Sequence, residues 1–63
     1  MNISKRKIDL LMASRGISLV ALSKISGISR QNLSTIKLRG TCRPETAAKL
    51  ARGLGVEVIE LVE

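Results

Sequence analysis

Four glycines, Gly16, Gly27, Gly40 and Gly55, cut this 63-residue chain into pieces of helical length. Glycine takes the left-handed backbone conformation without a Cβ penalty, so it commonly sits just past the last turn of a helix. Each of the four is followed at once by an apolar or capping residue: Ile17-Ser18, Ile28-Ser29, Thr41 and Val56. No segment sustains the apolar–polar alternation of a half-buried strand. The punctuation predicts an all-α chain of short helices, a single domain over residues 1–63.

Apolar spacing fills in the pieces. Over 4–15, Ile8, Leu11 and Met12 stand at i, i+3, i+4, a helical core stripe. Ser18 is a good N-cap for a second helix reaching about residue 25, with Leu22 inward. Ser29 caps a third that carries Leu33 and Ile36 to about residue 38. Pro44 at a first helical position, with Glu45 beside it, opens a fourth with Ala47, Leu50, Ala51 and Leu54 on one face. A short fifth helix is expected over 58–61. Gly53 breaks the pattern inside the fourth helix, where glycine costs about 1 kcal/mol against alanine.

Composition removes several classes of function. Cys42 is the one cysteine and histidine is absent, which rules out an internal disulfide, the common zinc ligand sets and Ser–His or Cys–His nucleophile pairs. Asp9 and the four glutamates have no helper of the kind carboxylate catalysis needs. No catalytic residue, metal or cofactor is expected. Without Phe, Tyr or Trp there is no platform on which single-stranded bases could stack. No apolar run approaches the ~20 residues of a membrane span. Asp9 interrupts the one candidate signal segment after Lys5, Arg6 and Lys7, and no short helix has the broad apolar face of a membrane-surface binder. A cytoplasmic protein with no membrane role is expected.

Charge is unevenly placed. Residues 1–43 carry nine Lys and Arg against Asp9, a net of +8; residues 44–63 carry Lys49 and Arg52 against four glutamates, a net of −2. A basic body with an acidic tail suits a polyanion on one side, although a solvated basic surface has the same composition. Cys42 lies among those basic residues, which would lower its pKa and favour oxidation; an indifferent small thiol is the plainer expectation.

Between residues 18 and 38, two helices of about two turns meet at Ile25-Ser26-Gly27-Ile28. Leu22, Ile28, Leu33 and Ile36 would share one core, small Ser23 would allow close packing, and Gly27 takes the turn. The run LVALSKISGISRQNLSTI, residues 19–36, resembles the lambda-repressor-like helix-turn-helix family of phage repressors and Cro proteins. Arg43-Pro44, then LARGLGV over 50–56 and Leu61, is similar to that family's last two helices. The likeness covers nearly the whole chain. It implies five short helices, with a helix-turn-helix made by the second and third, and binding to a double-stranded DNA operator in transcriptional control. Three positions depart from the family's pattern. Leu19 stands where a Gln often opens the second helix, Met12 and Lys37 replace an Arg–Glu pair, and Glu45 replaces a basic residue.

On that resemblance the third helix reads DNA with its first turn in the major groove. Ser29, Arg30, Gln31, Asn32 and Thr35 are then the base-reading candidates: Arg to guanine, Gln or Asn to adenine, Thr to a base edge or a thymine methyl. Ser29 could equally be a plain cap. Lys37, Arg39, Thr41 and Arg43 are candidates for the DNA backbone, with Ser18 at the second helix's N-terminus. Val58, Ile59 and Val62 exceed what a short terminal helix can turn inward, and the resemblance puts dimer contacts nearby, so a weak homodimer is expected. A competing expectation is an antitoxin or antirepressor-like module whose main partner is another protein.

Overall fold

A computed structural model covers residues 1–63. It has four α-helices: α1, Lys5–Arg15; α2, Leu19–Ser26; α3, Arg30–Arg39; and α4, Pro44–Leu54. The expected fifth helix is instead a single 3-10 turn, Val58–Glu60. Its Glu60 carboxylate accepts the Glu57 N–H at 2.9 Å, which closes the turn on itself. The next residue, Leu61, is fully buried, and Val62 pairs with Ile3, so the chain leaves helical geometry at once.

The helix starts follow local chemistry. Ser4, Ser18 and Ser29 each accept, on the side-chain oxygen, the backbone N–H three residues on, satisfying a donor that has no partner within the helix. α4 begins at Arg43 without a side-chain cap and relies on Pro44, which has no N–H to satisfy. Two glycines do more than end a helix. Gly27, at φ +75°, turns the chain between α2 and α3. Gly40, at φ +72°, ends α3 and accepts the Ile3 N–H on its carbonyl at 2.8 Å.

The core is wholly apolar. Ile8, Leu22, Leu33, Leu50, Leu54 and Leu61 are each at most 2% exposed, and no polar side chain is buried. At about 1.5–3 kcal/mol for each large aliphatic side chain, these residues carry the fold. α2 packs most extensively against α4, and Gly53 explains how closely: a Cβ there would lie 3.0 Å from Ser26 Cβ and 3.2 Å from its Cα. The break in the α4 pattern is a packing requirement. Ser23 has a role beyond small size, because its hydroxyl donates to the Ile28 carbonyl at 2.6 Å and pins the turn. Leu11 and Met12 pack only at the edge of the core.

Ile3 is the core residue that periodicity does not find. It is 1% exposed and sits in a short extended segment between two others. Asn2 bridges to Thr41 and Ile3 to Val62, both antiparallel. Ser4 N–H donates to Leu61 O at 2.8 Å, and the exposed Lys7 Nζ donates to Val62 O at 2.8 Å. No helix is long and apolar enough to cross a membrane.

Candidate nucleic-acid interface

α3 is anchored from below and open above. Leu33 and Ile36 fix it to the core, while Ser29, Arg30, Gln31 and Asn32 are exposed. Ser29 does cap, accepting the Asn32 N–H at 3.2 Å; its hydroxyl proton stays free to donate outward. Thr35 Oγ1 donates to Gln31 O at 3.0 Å. That leaves the Thr35 methyl and oxygen lone pairs for any outside contact.

A groove runs along each side of α3. One, of about 580 Å³, is walled by Ser18, Leu19 and Val20 of the α2 start and by Arg30, Gln31 and Ser34. The other, of about 500 Å³, joins Asn32, Thr35 and Arg39 to Thr41, Arg43 and Thr46 across the α3–α4 loop. Helix α3 is therefore a ridge between two hollows, and neither hollow has a carboxylate in its wall. Ser18 is brought beside Arg30 and Gln31, and Arg39, Thr41 and Arg43 beside Asn32 and Thr35. Ser34 and Thr46 were not among the sequence candidates. Ser34 lies four residues after Arg30, on the same helix face, which is the signal that could have found it.

Lys37 stands apart. Its Nζ lies 2.7 Å from Asp9 Oδ1 on α1, and its side chain is only 23% exposed. Met12 therefore does not mark the loss of a link between these helices; a pair of opposite polarity joins them one turn away. Cys42 does not follow its basic neighbours. Burial pushes its thiol above the ordinary value and outweighs the opposing pull of the nearby N-terminal ammonium, so the thiol is less reactive than its basic neighbours suggest.

At the C-terminal end, Val58 and Val62 pack partly against the core, and Ile59 is left 75% exposed. The open apolar surface there is smaller than three residues would make. No group of three His, Cys, Asp or Glu side chains could hold a metal ion.

A short helix, a glycine turn, and a second helix that is buried below and polar above define a helix-turn-helix DNA-binding domain. A family model described as Cro/C1-type HTH DNA-binding domain matches residues 7–63. The chain belongs to that family. No curated protein and no solved structure matches it significantly.

Proposed function

We propose that the protein is a sequence-specific transcriptional repressor of the cytoplasm that docks on a duplex operator and obstructs polymerase. The observation that carries this reading is α3 as a polar ridge between two cation-lined grooves, because a major groove admits one helix and puts a phosphate strand on each side of it. In this reading Arg30, Gln31 and Thr35 read base edges, with Ser29 and Asn32 beside them. Ser18, Arg39, Thr41 and Arg43 hold phosphates, and Lys37 assists from its ion pair with Asp9. The mechanism is steric and has no chemical step.

Two recognition helices one DNA turn apart read more sequence than one, so the working unit is a weak two-fold dimer. Ile59, the open apolar side chain at the C-terminal end, is its centre, with Val58 and Val62 at the edge.

The test is duplex binding across a salt titration. About five neutralised phosphates per protomer give a log–log slope between about −4 and −5. A flat salt response overturns the reading. Footprinting on the DNA flanking the protein's own gene identifies the operator.

A further inference from the structure

Thr35 is the one base-reading candidate whose hydroxyl proton is already committed. Its Oγ1 donates to Gln31 O, one helical turn earlier, at 3.0 Å, and the residue is half-buried. That bond holds the branched side chain in one rotamer, since both groups on Cβ turn together. What Thr35 offers an outside partner is a methyl carbon beside an oxygen that can only accept. Ser29 differs: it accepts the Asn32 N–H and keeps its own proton.

The hollow that Thr35 lines has the same mixed character. Its wall holds Met1, Ile36 and Cys42 as well as Asn32 and Arg39, so carbon and polar atoms of one partner both find contacts there. The four bases differ in what they set side by side on the major-groove edge. Guanine offers acceptors, thymine a methyl beside the O4 acceptor, and adenine its N6 donor beside the N7 acceptor. Cytosine sets its N4 donor beside the C5 carbon. That edge alone gives Thr35 Oγ1 a donor and the Thr35 methyl a carbon at once. A methyl group on C5 completes the fit, because it extends the carbon edge and leaves the donor in place.

We propose that Thr35 reads a cytosine of the operator and favours its 5-methylated form, so that cytosine methylation strengthens binding. The N4–H donates to Oγ1, and the C5 carbon or its methyl packs on the Thr35 methyl. This rests on the DNA reading above and goes beyond it, because it names the base and makes occupancy respond to a modification of the DNA. Gln31 and Thr35 stand about 6 Å apart along α3, so their bases lie about two base pairs apart at ~3.4 Å per step.

The test first selects duplexes from a random-sequence pool with the full chain and with its Thr35→Val variant. The parent should select cytosine at the position that Thr35→Val relaxes; any other base there overturns the proposal. Fluorescence anisotropy then compares duplexes carrying cytosine, 5-methylcytosine or thymine at that position. The parent should bind the 5-methylcytosine duplex about threefold to fourfold tighter than the cytosine duplex, the worth of one methyl removed from water. Thr35→Ser, which keeps the hydroxyl, should lose that gain. Thr35→Val, which keeps the methyl, should retain it and lose the preference for 5-methylcytosine over thymine. Each ratio is taken within one protein, so a change in folding stability does not move it. Equal or weaker binding of the methylated duplex by the parent, or a gain that survives in Thr35→Ser, overturns the proposal. If both Thr35 variants select the parent's consensus while Arg30→Ala or Gln31→Ala changes it, Thr35 reads no base and the DNA reading stands. A parent that selects no sequence ends both.

Discussion

Lys37 on α3 and Asp9 on α1 hold each other at 2.7 Å, tying the second helix of the helix-turn-helix to the first helix of the chain. Partly exposed pairs of this kind contribute at most about 1 kcal/mol to stability. Their larger effect is on the field α3 presents, because Asp9 cancels one of its cations. Asp9→Asn should therefore change the melting free energy by less than about 1 kcal/mol while tightening duplex binding and steepening the salt slope by up to about one. Calorimetry and a salt titration on the same preparation check both halves. Weaker DNA binding by Asp9→Asn would mean that the pair's service to α3 is positional.

Specificity and affinity should separate by residue. Arg30→Ala or Gln31→Ala should cost about 1–3 kcal/mol on the operator and little on random duplex. Arg39→Ala or Arg43→Ala should weaken both DNAs alike and flatten the salt slope by about one. Identical behaviour of all four would show that α3 does not read bases.

Gly53 opposes two general rules. Helix propensity alone favours Gly53→Ala by about 1 kcal/mol. The contact with the Ser26 backbone resists the added carbon, and overpacking of that kind costs about 1–3 kcal/mol. Ser26 has little room to yield, because its hydroxyl accepts the Ile28 N–H at 3.2 Å. Urea unfolding should show a net loss of stability; a gain would mean that α4 slides away from α2 freely.

If Ile59 centres a dimer, Ile59→Lys should leave the monomer folded, since the side chain is 75% exposed. It should abolish cooperative filling of a palindromic site. A footprint over a single half-site, unaffected by the substitution, contradicts the dimer.

The Cys42 thiol, raised by burial, should alkylate more slowly at neutral pH than a free cysteine, and at the free rate in denaturant. The sign follows from proton binding. Above the unfolded-state pKa the unfolded chain releases this proton first, so the thiol's contribution to stability is present below that pH. It is lost as pH rises through the folded-state value. Cys42→Ser should remove that share of the alkaline decline, measured by denaturation at a series of pH values.

Much of this was legible in the sequence because it is local. Serine caps and glycines at positive φ act within a few residues, so the four helices and the turn at Gly27 could be read directly. The polar first turn of α3 followed from the same spacing. What was hidden depends on residues distant in the chain. Ile3 belongs to no periodic run, and its partners are Gly40 and Val62. Lys37 looked free because Asp9 is far away in sequence, and Gly53 looked like a defect until Ser26 was placed against it. The fifth helix failed at the boundary where burial of Leu61 outweighed three residues' worth of helical pattern.

The short extended segment at residues 2–4 acts as a clasp. It joins the loop after α3 to the tail after α4, so contacts about sixty residues apart complete the core around Ile3. The chain cannot finish folding helix by helix from its beginning, because the last apolar layer closes only when Leu61 arrives. Closing so long a loop is slow relative to forming local helical turns.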